Sequence, residues 1–512
     1  MSDATPAPLT PNRGMITISI LLATIITALD TTIANVALPH ISGSLSASSD
    51  QITWVLTSYI VATAITTPMS GWLTGRFGLK RVFVISIVGF TAASAMCGAA
   101  QTLEQIVLFR VLQGVFGATI MPLSQAVMFD IYPDEERGPA LGLMGMGIMV
   151  APILGPVLGG WLTDNFSWRW VFYINLPLGV LSVLGIQAFF PEDHVPRRLP
   201  FDAIGFGLLS LALASFQLML DRGQSNDWFQ STEIVIETTV AALALVLFIA
   251  HTLTAERPLL PIKLVTDGNF LKACVLGFTI GLMLFSVLAL LPPMTQNLLG
   301  YPVVTAGIVM APRGIGSVIS MFVVGFLVSR VDNRLLIIIG LSLFATAFYS
   351  MSKFSLQMGS LGIATTGFVQ GLGTGFVFMP MTVLGFATLG PSLRADAAGF
   401  LALIRNLGNS AGISIMQAIF TRNVQVVHAR LIEGLTPDNP LSRPPYLAAP
   451  FSLTDPAGVA ALNGEVTRQA SMLAYNDVFH LMFLTTVALA PLVLLMRRPT
   501  QPMSDEETLW MD

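Results

Sequence analysis

Four charged residues stand inside long apolar runs of this sequence, where charge is otherwise avoided. Asp30 follows fourteen uncharged residues (16–29), and Arg110, Arg313 and Arg405 interrupt later apolar runs. In an apolar setting a carboxylate can bind and release a proton, and an arginine can pair with it or bind an anion. These residues therefore indicate proton or anion chemistry within a membrane.

Asp30 lies fifteen residues after Met15, which is about 22 Å along a helix at roughly 1.5 Å per residue. At that depth a carboxylate has to face a wet cavity, pair with a cation or carry a proton. One interpretation is a proton-coupling group. The alternative is a structural carboxylate that bonds the hydroxyl of Thr27 or Thr31.

The arginines also have two interpretations each. Arg110 opens its apolar run from the outer side, so its long stem can anchor it at the membrane interface. Arg405 stands ten residues into its run and can either bind anionic groups or pair structurally. Arg313 stands nine residues into its run and is the weakest of the three candidates.

The elements that hold these residues follow from composition. The 512 residues are 54% hydrophobic and only 11% charged, against about a quarter charged in soluble domains, which indicates an all-α integral membrane protein. Runs of about 20 apolar residues can each span the bilayer as a helix. Fourteen spans are predicted near 15–38, 52–74, 82–101, 106–129, 140–163, 170–190, 202–220, 234–252, 270–291, 304–328, 334–353, 359–385, 395–420 and 478–496.

The distribution of lysine and arginine predicts the orientation. With a cytoplasmic N-terminus, fifteen of these residues fall in inside segments and three in short outside loops. Cytoplasmic loops carry the excess of positive charge, so both termini are predicted to be cytoplasmic.

A weak internal repeat indicates duplicated halves. Gly71, Leu73 and Arg76 recur 254 residues later, and the pair Gln113-Gly114 recurs at an offset of 257. Span 2 thus corresponds to span 10, which leaves two spans inserted between six-helix halves. The predicted divisions are an N-terminus at 1–14, a first half at 15–190, two inserted helices at 191–265, a second half at 266–496 with a long external loop at 421–476, and a tail at 497–512.

The absence of catalytic sequence patterns narrows the function. None of the four lysines follows a glycine, so the chain has no Walker A loop. Cys97 and Cys274 provide neither a disulfide framework nor a metal-ligand spacing. We therefore expect a transporter rather than an enzyme, with no cofactor or metal and with an ion gradient as its energy source.

Five motifs resemble the major facilitator superfamily, in particular the EmrB-type multidrug exporters of its fourteen-span drug:proton antiporter family. They are GWLTGRFGLKR (71–81), RVLQGVFGA (110–118), GIMVAPILGPVLGG (147–160), LDTTIANVALP (29–39) and LDRGQSNDWF (220–229). The resemblance implies proton-coupled export of hydrophobic toxic compounds across the bacterial inner membrane, by alternating access of two halves, without nucleic acid.

The resemblance also implies roles for particular residues. Asp30 and Arg110 are expected to couple transport to protons, while Gly75 departs from the acidic residue usual in the loop motif. The expected gating motif comprises Gly71, Arg76, Gly78, Lys80 and Arg81. The antiporter motif comprises Gly147, Pro152, Gly155, Pro156, Gly159 and Gly160, and is expected to seal the interface between the halves, although close helix packing alone explains such spacing. Polar candidates for the substrate cavity are Asn35, Gln113, Gln125, Arg405, Asn409 and Gln417.

Partners follow from the same resemblance. EmrB-type pumps work with a periplasmic adaptor of EmrA type and an outer-membrane channel, so segment 421–476 is a candidate docking site. A stand-alone exporter is the alternative, as is a lipid or lysolipid translocase on the same scaffold. A non-transporting sensor is less consistent with the sequence, because the chain has short termini and no soluble signalling domain.

Overall fold

The computed structural model describes residues 12–191, 201–256, 258–390, 393–436, 439 and 450–497. All regular secondary structure in these ranges is helical, and a helix, continuous or interrupted, lies at each of the fourteen predicted spans. In chain order they are α1 (Arg13–Leu45), α2 (54–77), α3 (Leu79–Ala99), α4 (Leu103–Ile131), α5 (Asp134–Asn165), α6 (Trp170–Phe189), α7 (Ala203–Arg222), α8 (Thr232–Thr254), α9 (Gly268–Pro293), α10 (Val303–Leu327), α11 (Asn333–Met351), α12 (Ser360–Phe386), α13 (Arg394–Glu433) and α14 (Pro456–Leu494).

Most of these helices fit a membrane by their own dimensions. Eleven of them, counted over the described ranges, are long and apolar enough to cross a bilayer. Helix α2 is interrupted by a tight turn at Thr67–Met69, because Pro68 lacks a backbone N–H and cannot continue the α-helical hydrogen bonds.

Packing within the chain repeats itself. Helix α1 packs on α5 and α6, α2 packs on α4, and α3 packs on α4 and α6. Adding eight to each number gives the packing of the second group: α9 on α13 and α14, α10 on α12, and α11 on α12 and α14. The weak sequence repeat therefore corresponds to a repeat of helix packing. We refer to α1–α6 as the first half and to α9–α14 as the second half.

The two halves touch through one end of the bundle, the end at which α1 begins. There the Phe129 ring of α4 lies 5.5 Å from the Phe386 ring of α12, and Gly71 of α2 lies against Asp396 of α13. Helix α5 packs against Met321 of α10 at the same end. The contacts therefore close the bundle near the chain termini.

The inserted pair α7 and α8 packs together and contacts both halves through α7. Thr57 of α2 donates a hydrogen bond to Asp221 of α7, and Ser414 of α13 donates to the carbonyl of Leu220. Helix α7 therefore links the two halves at the end away from the closed contacts.

The predicted external loop 421–476 is corrected by the structure. Helix α13 continues to Glu433 and α14 begins at Pro456, so most of this segment is helical, and 437–438 and 440–449 lie outside the described residues. The reason is that the prolines cluster between 437 and 456, while 421–433 contains no proline or glycine to end the helix. Both helices span about 60 Å at 1.5 Å per residue and extend past a hydrocarbon core of about 30 Å.

Candidate functional site

Asp30 and Arg110 form an ion pair within the first half. Asp30 lies on α1, and Arg110 lies two turns into α4, from which its Nη1 reaches Asp30 Oδ2 at 2.5 Å. Asp30 is 1% exposed and Arg110 is fully buried. A buried pair of this kind is stable only if further hydrogen bonds satisfy both groups.

Three amide and backbone groups provide such hydrogen bonds, and Arg110 Nη2 alone among the polar atoms of the pair has no partner in the described part of the chain. The side-chain amides of Gln113 and Asn175 both donate to Asp30 Oδ1, at 2.8 and 3.0 Å. Arg110 donates through Nε to the Val55 carbonyl at 2.9 Å and through Nη1 to Gln113 Oε1 at 2.8 Å. Helices α1, α2, α4 and α6 therefore meet in one polar network inside an apolar bundle.

Tyr59 of α2 completes the surroundings of the guanidinium. The Cζ atom of Arg110 lies 4.3 Å from the centre of the Tyr59 ring, a distance at which an aromatic face attracts a cation. Sequence reasoning did not single out Tyr59 or Val55 and gave Asn175 no role. The sequence carries no signal for them, because it does not show which residues of α2 pack against Arg110 of α4.

The structure excludes the hydrogen bonds that the structural interpretation of Asp30 proposed. The hydroxyl groups of Thr27 and Thr31 donate to the carbonyls of Thr24 and Ala28, at 2.9 and 2.8 Å, and not to Asp30. Arg110 is likewise no interfacial anchor, because its guanidinium points into the bundle. Protonation of Asp30 would remove the negative partner of Arg110, so this pair can change its interactions with proton binding.

The residues of the loop motif (71–81) make several different contacts. Gly78 joins α2 to α3 with φ of 89°, a conformation that favours glycine. Lys80 donates to the carbonyl of Phe190 at 2.7 Å and so holds the end of α6 within the first half. Arg76 is half-buried and Arg81 is exposed. Gly71 reaches the second half, where it meets Asp396.

Substitution of Gly71 by alanine should weaken the closed end of the bundle. A Cβ atom there would overlap the Asp396 carboxylate and lie 3.3 Å from its Cα. We expect a longer distance between spin labels on cysteines introduced at the exposed positions Phe77 and Leu335, measured by electron paramagnetic resonance. Gly43→Ala is the control, because a Cβ atom there meets nothing within 4 Å. An unchanged distance would contradict a closing role for Gly71.

Three glycines of the antiporter motif, Gly147, Gly155 and Gly159, face α1. A Cβ atom at Gly147 would lie 3.1 Å from Leu21, and one at Gly159 would lie 3.3 Å from the Ile33 carbonyl. On the same helix, Gly142 and Gly145 face Met321 across the halves. The glycines of α5 that meet the second half therefore precede the motif, because a helix of 3.6 residues per turn presents successive glycines to different neighbours. The side chains of Pro152 and Pro156 lie outside the described residues.

Two glycines of this motif should respond differently to the same substitution. A Cβ atom at Gly155 would overlap the Thr32 side chain, whereas one at Gly160 meets nothing within 4 Å. We therefore expect Gly155→Ala to lower the melting temperature of the detergent-purified protein by forcing α5 from α1, and Gly160→Ala to leave it unchanged or raise it. Equal melting temperatures for the two variants would contradict this packing.

The predicted cavity residues do not form one group. Gln113 belongs to the buried network, and Asn35 is exposed near the far end of α1. Arg405 lies where the halves meet, with Nη2 3.2 Å from the Met121 sulfur of α4 and the guanidinium 5.9 Å from the Phe378 ring. Asn409, one turn beyond Arg405, has a buried Oδ1 without a partner among the described residues. Gln125 and Gln417 are half-buried.

These features define a multi-pass helical membrane protein with duplicated halves and a buried ion pair. Residues 20–413 match the family model described as Major Facilitator Superfamily. The chain is 36% identical over 470 residues to the multidrug export protein EmrB of Haemophilus influenzae, covering 91% of this chain and 92% of that protein. It is 34% identical to the fatty acid resistance protein FarB of Neisseria gonorrhoeae, over 94% and 96% of the two chains.

The solved structures agree on the fold. The proton:xylose symporter XylE superposes with a TM-score of 0.62 at 13% identity, over 97% of this chain and 98% of that one. The chain belongs to the major facilitator superfamily and, within it, to the EmrB family of transporters. The predicted fold class and family resemblance are therefore confirmed.

Proposed function

We propose that this protein exports hydrophobic toxic compounds from bacteria by proton antiport. The observation that carries the proposal is the buried pair of Asp30 and Arg110. Intramembrane acids that pair with a cation are characteristic of proton pathways in transporters. The EmrB relative is named as a multidrug export protein and the FarB relative as a fatty acid resistance protein. Transport of hydrophobic compounds is consistent with an apolar helix bundle that has a polar centre.

The proposed orientation in the membrane assigns the closed end of the bundle to one side. Lysine and arginine are in excess in the segments on the same side as the two termini. We therefore place this side, which includes the closed end, in the cytoplasm of a bacterium, with the protein in the inner membrane. The contacts of Gly71, Phe129 and Met321 then close the cytoplasmic side. We take this arrangement as an outward-facing state, in which a drug has left and a proton is taken up.

The proposed cycle uses the charge of Asp30 as the coupling element. Proton binding to Asp30 neutralises the partner of Arg110 and loosens the contact between α1 and α4. The two halves then rock so that the cytoplasmic side opens. Release of that proton to the cytoplasm restores the carboxylate and its bond to Arg110, and drug binding favours return. In this cycle the ion pair between Asp30 and Arg110 breaks and forms again. The only covalent bond that forms or breaks is the O–H bond of Asp30.

The substrate region is proposed at the meeting of the halves. Arg405, Met121 and Phe378 combine a cation with soft and aromatic side chains. Thioether and aromatic groups adapt to guests of different shape, which favours broad specificity. Asn35, Gln125, Asn409 and Gln417 are proposed to add hydrogen-bonding groups along the same path.

A periplasmic adaptor of EmrA type is proposed to bind the projecting parts of α13 and α14. The two helices are joined by hydrogen bonds between His428 and Asn463 at 3.0 Å and between Asn423 and Asp477 at 3.3 Å. Near the tip they carry exposed apolar side chains that solvent alone does not favour, namely Val426, Leu431, Ile432 and Val459. An outer-membrane channel would complete a tripartite pump.

Efflux of several structurally unrelated dyes from cells, with and without a proton uncoupler, tests this function. We expect expression of the protein to increase efflux of more than one dye, and the uncoupler to abolish the increase. Efflux that persists after the proton gradient has collapsed would contradict proton antiport. Transport of lysolipid by the protein, without transport of any dye, would favour the alternative of a lipid or lysolipid translocase.

A further inference from the structure

Gln370 of α12 is a fully buried amide whose hydrogen-bonding capacity is unused. The side chain is 0% exposed, and neither its nitrogen nor its oxygen has a partner among the described residues. Buried side-chain amides in folded proteins are almost always hydrogen-bonded, because an unpaired polar group is costly in an apolar interior. Its surroundings therefore point to a bound group.

Arg313 of α10 packs against Gly367 and Gly371, which lie on either side of Gln370 on α12. At an offset of 254, Arg313 corresponds to Tyr59, the residue whose ring faces the cation of the first half. The structure supports the correspondence, because Gly114 makes room for the Tyr59 carbonyl, and its counterpart Gly371 makes room for the Arg313 carbonyl. Gln370 directly precedes Gly371, as Gln113 precedes Gly114.

The second half therefore also has an arginine in this region, but this arginine lies on α10, whereas the repeat would place it on α12. Gly367 of α12 stands 257 residues after Arg110, where the first half has its guanidinium. A Cβ atom at Gly367 would lie 3.5 Å from the Arg313 Cβ, so the side chain of Arg313 begins beside this vacated position. From there Arg313 Nη2 donates to the Leu284 carbonyl of α9 at 3.0 Å. Helix α9 is the counterpart of α1, which carries Asp30.

The carboxylate has no equivalent. No acidic side chain of the described ranges pairs with Arg313, and the Leu284 carbonyl is its one hydrogen-bond acceptor there. A guanidinium has five N–H donors, and Arg313 stands about 15 Å inside α10, at roughly 1.5 Å per residue. An arginine at such depth faces the bundle interior or a water-filled cavity, and it pairs with an acidic side chain or with backbone carbonyls. The cation and the free amide thus lack the partner that Asp30 provides in the first half.

We propose that Arg313 and Gln370 bind a monovalent anion, either a halide ion or the carboxylate group of an amphipathic molecule. A single guanidinium matches a single negative charge, and the Gln370 amide nitrogen can donate to the same anion. The anion takes the place that a protein carboxylate holds in the other half. This site is independent of proton coupling at Asp30, so either proposal can fail alone.

Binding of radiolabelled chloride and radiolabelled octanoate to the detergent-purified protein tests the site at fixed ionic strength. We expect saturable binding of at least one of them. Arg313→Gln should weaken it about tenfold or more, since a charge-assisted hydrogen bond is lost, and Gln370→Leu should weaken it less. Arg313→Lys should restore part of the binding. Arg330→Gln, which removes a cation beyond the end of α10, should change nothing.

The two ligands separate the sources of the anion. Binding of chloride that octanoate does not displace identifies an inorganic ion, and octanoate binding that chloride does not displace identifies a carboxylate substrate. Absence of saturable binding of either would overturn the proposal and leave a site filled by water. Equal losses for Arg313→Gln and Arg330→Gln would also overturn it, because the effect would then follow net charge. If Arg313→Gln does not fold, the comparison of Gln370→Leu with the wild-type protein decides.

Discussion

Asp30→Asn should abolish drug uptake driven by a proton gradient in inverted membrane vesicles, down to the level of vesicles without the protein. Asparagine keeps the size of the side chain, and its one carbonyl oxygen can still accept a hydrogen bond from Arg110, or from the amides of Gln113 and Asn175, all of which donate to Asp30. It cannot bind and release the proton. Uptake is measured as accumulation of a fluorescent drug after acidification of the vesicle interior.

The matched control is Asp164→Asn. The Asp164 side chain is 71% exposed at the end of α5 and lies 3.8 Å from His40 Nε2, so loss of its charge should leave uptake unchanged. Purified Asp30→Asn protein should also still bind drug, because the substrate region lies at Arg405. Gradient-driven uptake by Asp30→Asn at the wild-type rate would show that another group couples transport to protons.

Arg110→Ala should have the largest effect on stability. Its removal strands Asp30 without a cation, and breaking a buried ion pair in this way costs about 3–5 kcal/mol. The loss of the Val55 and Gln113 hydrogen bonds and of the contact with Tyr59 adds to it. We expect a lower melting temperature for the detergent-purified variant and no gradient-driven uptake.

A second substitution separates charge from packing. In the double variant Asp30→Asn with Arg110→Ala no carboxylate is stranded, so the melting temperature should recover above that of Arg110→Ala alone. Arg468→Ala is the control, because Arg468 pairs with Glu465 on a partly exposed surface and such pairs contribute about 0–1 kcal/mol. A double variant less stable than Arg110→Ala would contradict the charge explanation.

The spans and the duplication were predictable, because a bilayer allows few structures and leaves a strong apolar pattern. The pairing of Asp30 with Arg110 was predictable only as a preference, since the depth of each residue is readable from the sequence but its azimuth around the helix is not. Tyr59 and the Val55 carbonyl were missed for the same reason. Their placement depends on how α2 packs against α4, where Gly114 permits close approach.

Two interpretations changed with the three-dimensional structure. The motif glycines Gly147, Gly155 and Gly159 were expected between the halves, but they pack on α1, because spacing identifies a packing face without identifying the helix that it meets. Gln113 was expected in the cavity, but it bonds to Asp30. The Asp396 contact with Gly71 was missed, because it joins helices more than 300 residues apart in sequence.

Proton release from the purified protein upon drug binding tests the central assignment most directly. In weakly buffered detergent solution containing a pH indicator, addition of a transported drug to wild-type protein should release protons, because drug binding favours the state with the Asp30 carboxylate paired to Arg110. The Asp30→Asn protein should bind the drug and release none. Equal proton release from the two proteins would contradict the assignment of Asp30 as the proton-coupling residue.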